Sequence, residues 1–267
     1  SYIPPELREN EGEIERAERG ELPELVKESD IRGLFHIHTN ASDGSDSLEE
    51  IVFAAKKMGL EYIGISDHSR SAYYAGGLSV EDIQRQHEEI DAINAREIEF
   101  HLFKGIEADI LTDGSLDYPD DILSTFDFVI GAIHSNFTLT ENEMTMRIMR
   151  ALDNPYVTML AHPTGRLLLA REPYPVDMEK IIEHASMRKK IIELNANPHR
   201  LDLEWRFCRY AKKKNVKIAI NPDAHNIEGL RHFIFGINIA RKGWITSSDC
   251  INCLEREDVE RLFFQKH

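Results

Sequence analysis

An α/β fold, built as a barrel of parallel strands, is the prediction that follows from three observations along these 267 residues. Short apolar runs of strand length alternate with segments that carry apolar residues at three- and four-residue spacing, and that alternation implies a parallel sheet with helical crossovers. Six of the twelve histidines, with carboxylates beside them, fall at or just past the ends of those runs. Residues scattered this widely converge only if the carboxyl end of every strand points at one mouth, which is the property of a barrel.

The opening segment, residues 1–30, is dense in glutamate, sparse in apolar residues and interrupted by Pro4, Pro5 and Pro23. It predicts an acidic arm or linker draped on the surface, ahead of one barrel domain over residues 31–267. The first strand, Ile31 to His38, carries His36 and His38, with Asp43 just beyond. Period two puts both imidazoles on one face and Ile37 on the other, so both can reach one ion. A helix from Leu48 to Met58 leads to the second strand, Tyr62 to Ser66, which ends at Asp67 and His68. The stretch Arg70 to Ser79, with Tyr73, Tyr74 and the Gly76-Gly77 pair, has the length and flexibility of a lid; its tyrosines either stack on a base or pack against the barrel rim.

A helix from Val80 to Ala95 precedes the strands Phe100 to Glu107 and Phe126 to His134, with Ser135 and Asn136 past the latter. Next come a helix from Glu141 to Leu152, a strand from Tyr156 to His162 and a helix from Met178 to Ala185. Lys190 to Asn195 and Val216 to Asn221 complete seven strands, with a helix from Leu203 to Lys213 between them and Asp223 and His225 past the last.

Imidazole and carboxylate are the ligands that a borderline or hard divalent cation takes from a protein, and a catalytic centre needs several of them with coordination positions left open. His87, His184 and His232 lie in helical or polar stretches, His101 lies far from the carboxyl end of its strand and His267 ends the chain, so these read as ordinary surface or core residues. His199, in the loop after the sixth strand, is held in reserve. Three cysteines imply a reducing compartment without a disulfide framework, and Cys250 with Cys253 lacks the second pair that a zinc knuckle needs. With 42% hydrophobic and 30% charged residues, no apolar stretch near twenty residues and no secretory signal, the chain is expected to be cytoplasmic with no membrane partner. Its net charge of −15 leaves no basic face of the kind that grips DNA unaided.

The set His36-x-His38 with Ser42-Asp43-Gly44, Ser66-Asp67-His68, Gly105-Ile106-Glu107, His134-Ser135, Ala161-His162-Pro163 and Asp223-Ala224-His225 resembles the polymerase and histidinol phosphatase (PHP) superfamily. That resemblance implies a distorted (β/α)7 TIM-like barrel with a metal cluster at the carboxyl ends of its strands. The stretches from His162 to Leu168, Glu193 to Leu203 and Gly236 to Trp244, and the opening Tyr2 to Glu9, are similar to the PHP domain that ends many microbial family X DNA polymerases. Ser1, in place of Met, is consistent with a C-terminal piece of such a chain.

Carried over by position, the resemblance implies that His36, His38, Glu107 and Asp223 hold one metal. Glu107, as a bridge, would join His134 and His162 around a second, and Asp43, His68 and His225 would hold a third. Asp43 stands where phosphatase-type relatives usually have histidine, which favours the polymerase-linked branch. Leu34 stands where relatives often carry an acidic residue, so a supporting hydrogen bond is not expected from that position.

Two cations about 3.5–4 Å apart and sharing Glu107 can hold a bridging hydroxide, whose target would be phosphorus. Glu107, His134, Asp223 and Arg166 are the expected catalytic residues. Arg166 and Arg200 are placed to grip a phosphate oxygen in two-pronged fashion, or else are solvated surface charges. Asn195, Asn197, Ser135 and Asn136 orient phosphate or sugar hydroxyls, or serve turns. The implied activity is a manganese-dependent 3′–5′ exonuclease on DNA ends, with zinc and iron as alternative ions. Its rivals are a phosphomonoesterase on histidinol phosphate or a nucleotide, and a metal-holding domain that braces an upstream polymerase domain.

Overall fold

A computed structural model of the chain describes residues 1–264. Seven strands, β1 (Gly33–Ile37), β2 (Tyr62–Ile65), β3 (His101–Asp109), β4 (Phe128–Ala132), β5 (Val157–Leu160), β6 (Ile191–Asn195) and β7 (Ile218–Asn221), pair in chain order, every pair parallel. The ring draws together at its mouth, where the His38 N–H donates to the Ala224 carbonyl at 2.9 Å and the Ala224 N–H to that of His36 at 3.2 Å. This is the TIM-like barrel that the alternation predicts.

The crossovers are helical for local reasons. Helices α2 (Leu48–Lys57), α3 (Val80–Arg96) and α5 (Glu141–Asp153) each start at a reciprocal cap, Ser47 with Glu50, Ser79 with Asp82 and Thr140 with Glu143, and each buries one apolar stripe against the sheet. Helices α6 (Met178–Arg188) and α7 (Trp205–Lys213) match their expected positions. Four others lie outside the predicted set: α1 (Glu13–Arg19), α4 (Asp120–Leu123), α8 (Phe233–Lys242) and α9 (Arg256–Phe264). The segment 1–30 anchors on Leu7 and Leu25, buried against Trp244, while Glu6 pairs with Arg241 and Glu9 with Lys242, both at 2.7 Å.

Inside the barrel, the inward faces run from apolar to polar toward the mouth, with aromatic rings from β1 to β4 and Met159, Ala161, Ile191 and Ala219 from β5 to β7 at the apolar end. Phe35, Tyr62, Phe103, Phe128 and Phe263 of α9 pack with ring centroids 5.2–6.0 Å apart and plug the amino-terminal half. Glycines make room for the plug: a Cβ on Gly105 would lie 2.2 Å from the Phe128 ring, and one on Gly64 2.5 Å from that of Phe35. The same faces then continue upward, through Gly64 and Ser66 to His68, Gly105 to Glu107 and Asp109, Ala132 to His134, and Ala219 and Asn221 to Asp223. Aromatic burial at one end thus fixes which side chains reach the mouth at the other.

Strand β1 breaks the rule and so delivers its histidines. Phe35 belongs to the interior plug, so strict alternation would send His36 and His38 outward. His36 instead has φ +58°, the register slips between Leu34 and Ile37, and Ile37 joins the outer layer with the helices. The predicted outcome holds, both imidazoles on one face and Ile37 on the other, through a kink rather than a regular pleat.

Candidate metal centre

Nine side chains from six strand ends and the β1–α2 loop converge at the mouth. Glu107 is the hub. Its Oε1 lies 2.9 Å from His162 Nε2, 3.2 Å from His36 Nε2 and 3.3 Å from His134 Nε2, while Oε2 lies 3.0 Å from His68 Nδ1 and 3.7 Å from His38 Nε2. Asp223 Oδ1 sits 3.4 Å from His38 Nε2 and 3.5 Å from His36 Nε2. Asp43 lies 3.4 Å from His225 Nε2 and 3.6 Å from His68 Nε2. The donors fall into four overlapping groups, each mutually within 4.8 Å: His38, Asp43, His68 and His225; His36, His38 and Asp223; His36, Glu107 and His162; and His68, Glu107 and His134.

This donor set fits metal ions. Bonds of about 2.0–2.2 Å to one cation set its ligands roughly 3–3.5 Å apart, which is the spacing of most of these pairs. His36 Nε2, both ring nitrogens of His38, His68 Nδ1 and Glu107 Oε2 are buried without a hydrogen-bond partner, an arrangement that is costly unless something else ligates them. The charge states of the cluster fall into two sets. Burial opposes ionisation of Glu107, yet His36, His134 and His68 hold its carboxyl well below the usual range. Burial lowers His38, and burial with the nearby Arg200 charge lowers His162 to about 4, so both are neutral at physiological pH. Against the same burial, the surrounding carboxylates raise His36 and His225, and Glu107 above all raises His68 to about 10 and His134 to about 9, so protons on these rings balance the carboxylates and would leave as cations bind. Backbone strain marks the same place: His36, His162 and Asp223 all have positive φ, at +58°, +25° and +49°.

A ring of acceptors behind the ligands was not legible in the sequence. His36 Nδ1 lies 2.6 Å from Glu193 Oε2, and His134 Nδ1 lies 2.6 Å from Asp109 Oδ1, which turns Nε2 of both rings toward the mouth. The support not expected from Leu34, a core residue, therefore comes from β6. Glu193 is fully buried and also accepts from the His162 N–H, Asn195 Nδ2 and Asn221 Nδ2. The available signals were faint: Glu193 interrupts an apolar run, and Asp109 stands two residues after Glu107. Glu193→Gln is expected to lower metal affinity about 10–100-fold with the fold intact, measured by titrating metal into chelator-stripped protein.

The expected substrate residues occupy varied positions. Arg200 lines the cleft, an opening of about 170 Å³ shared with Tyr74 and the ligand cluster, and its Nε donates to Asp223 Oδ2 at 3.2 Å. Arg166 takes a position other than the one expected: its Nε donates to the Arg200 carbonyl at 2.9 Å and its Nη2 to that of Leu201, so it braces the Arg200 loop and does not line the cleft. Asn195 is likewise turned inward, its amide donating to Glu193 and to Asp223 at 2.9 and 3.0 Å. Asn197 accepts from the His199 N–H, and Ser135 and Asn136 are exposed at the rim. His199 is exposed outside the cleft, His87 packs edge-on against Phe126, His101 packs on Phe103, and His184 lies 2.8 Å from Asp153. His267 lies outside the described residues. The loop expected to be a flexible lid is tied down, Leu78 N–H to the His68 carbonyl at 2.9 Å and Arg70 N–H to Tyr118 Oη at 3.1 Å.

A parallel barrel whose mouth gathers imidazoles around a shared buried carboxylate defines a metal-dependent hydrolase. More particularly, the PHP domain family model matches residues 35–197, and the chain belongs to that family of metal-dependent phosphoesterases. It is 43% identical over 97% of its length to the DNA polymerase/3′-5′ exonuclease PolX of Bacillus subtilis, and spans 45% of that protein. It is 32% identical to a probable phosphatase of Caldicellulosiruptor bescii, over 71% of this chain and 78% of that one. Its fold matches the histidinol phosphate phosphatase of Lactococcus lactis, solved with zinc, L-histidinol and phosphate, at a TM-score of 0.55 and 18% identity, over 77% of this chain and 93% of that one. Among the described residues, no helix is long and apolar enough to cross a membrane.

Proposed function

We propose that this domain is a 3′–5′ exonuclease that hydrolyses phosphodiester bonds at DNA ends. The observation that carries this reading is the extent of likeness to the PolX protein, 43% identity over 97% of the chain, whereas probable phosphatases match at 29–32% identity over 71–81% of it. Two or three divalent cations, with manganese as the working ion and zinc or iron accepted by the same donors, would supply positive charge for the phosphodiester and lower the pKa of an attacking water. In this reading Glu107 is the shared ligand, and His36, His38, Asp223, His134 and His162 complete the inner sites, with Asp43, His68 and His225 around a third. Arg200, held by Asp223, has an unpartnered Nη1 for a phosphate oxygen. Arg166 acts as a positioning residue through the Arg200 loop, so Arg166→Ala should raise KM about tenfold while leaving kcat largely intact.

An acidic chain of net charge −15 grips DNA weakly by itself. An upstream polymerase domain in a longer cytoplasmic protein would supply that grip, and the 45% span of the PolX relative supports this. The phosphatase relatives and the acidic surface favour a second reading, a phosphomonoesterase on a small ester. A purely bracing role fits poorly with a complete ligand set. Purified protein with manganese, offered a 5′-labelled single-stranded oligonucleotide beside histidinol phosphate and nucleoside monophosphates, separates these. A ladder shortening from the 3′ end supports the exonuclease, phosphate release from the small esters alone supports the phosphatase, and silence on both supports the brace.

A further inference from the structure

Two exposed apolar features stand on loops at the carboxyl ends of β2 and β5, and the buried core includes neither. The loop after β2 turns through Tyr73–Ala75 and leaves Tyr73 87% and Tyr74 75% exposed, although Tyr74 also forms part of the cleft wall. The loop after β5 folds into a tight hairpin in which Leu167 and Arg171 exchange backbone hydrogen bonds of 2.9 and 2.8 Å. At its tip Leu168 is 39% exposed and Leu169 is fully exposed with φ +65°. Leucine disfavours that conformation, and nothing is buried by adopting it. In a ring ordered β1 to β7, β2 and β5 are three places apart, so the two loops face each other across the mouth.

Both features are held rigidly. A Cβ on Gly77 would fall 1.9 Å from the Ser69 carbonyl oxygen, and Ser69 N–H donates to the Glu107 carbonyl at 3.0 Å, which fixes the tyrosine loop to the strand that carries the hub ligand. Opposite, Leu168 N–H donates to the His199 carbonyl at 2.7 Å and Arg171 grips the Gly165 carbonyl through Nε and Nη2. Rigid, exposed apolar groups on two sides of a polar cleft suit a ligand with flat apolar faces and an anionic link between them.

We propose that Tyr73, Tyr74, Leu168 and Leu169 form a jaw for the unpaired bases of a single-stranded 3′ end, with Arg200 between them at the phosphate. This deepens the exonuclease reading and rests on it. Stacking tolerates any base sequence, and it adds to the local positive charge of Arg200 an attraction that a chain of net charge −15 does not gain from a basic surface. A blunt duplex keeps its terminal bases paired and stacked on each other, so it cannot offer them to both walls. A frayed or single-stranded end can.

The test compares the full chain with Tyr73→Ala and Leu169→Ser on a single-stranded oligonucleotide, a blunt duplex and thymidine 5′-p-nitrophenyl phosphate. Wild type is expected to prefer the single strand to the duplex. Each variant should raise KM for the single strand about tenfold and reduce the preference for it over the ester by the same factor. If wild type degrades the oligonucleotide but the variants match it, or lose oligonucleotide and ester turnover equally, the jaw falls and the exonuclease reading stands. If wild type hydrolyses only the ester, the exonuclease reading fails and the jaw fails with it.

Discussion

Glu107→Gln is expected to reduce phosphoester turnover by about 10³-fold or more, beyond the 10–100-fold typical of residues that only support a ligand. Glutamine keeps the shape of the side chain and one oxygen, but removes the charge and puts an amide donor where the second oxygen faces imidazole. Five ring nitrogens lie within 3.7 Å of this one carboxylate, so no neighbouring acid can take over its place. His134→Ala should likewise abolish turnover. Steady-state kinetics with saturating manganese, with a thermal melt to confirm that the variant folds, reads the effect. Full activity in the Glu107 variant would remove the shared-ligand centre from the account.

Asn252→Leu carries the largest expected effect on stability. Strands β1 and β7 pair directly only near the mouth, and below it buried Asn252 substitutes for a strand partner on both sides. Its Nδ2 donates to the Gly33 carbonyl at 3.0 Å and its Oδ1 accepts from the Ile220 N–H at 2.7 Å, while its own carbonyl accepts from the Arg32 N–H at 2.8 Å. Leucine is close in size but leaves one buried carbonyl and one buried N–H unpaired, at about 1–3 kcal/mol each. The sum, about 2–6 kcal/mol, corresponds to a melting temperature lower by about 5–15 °C. An unchanged melting temperature would mean that the barrel is closed by contacts other than this one.

Much of the fold was legible because barrel physics writes itself into local sequence. Alternating apolar runs and three-four spacing located all seven strands and five helices, since each element buries a face set by its own period. The segments that escaped prediction are those whose order depends on distant partners, such as α9, which exists to push Phe263 under the barrel. The site divides along the same line. His36, His38, His68, Glu107, His134, His162, Asp223 and His225 stand at or next to strand ends, where sequence position implies direction. Glu193 and Asp109 support them from neighbouring strands, so their role is a property of the closed ring. Arg166 misleads for the opposite reason: a cation four residues past His162 looks aimed at the mouth, but unpaired carbonyls of the Arg200 loop claim its guanidinium first.

The most direct measurement is equilibrium dialysis of chelator-stripped protein against manganese, with ions counted per chain and phosphoester hydrolysis followed in the same samples. Two or three ions per chain, with activity appearing as they bind and vanishing with excess chelator, is the predicted result. Hydrolysis that persists in the stripped protein, or a chain that takes up no ion, would contradict a phosphoesterase organised around Glu107.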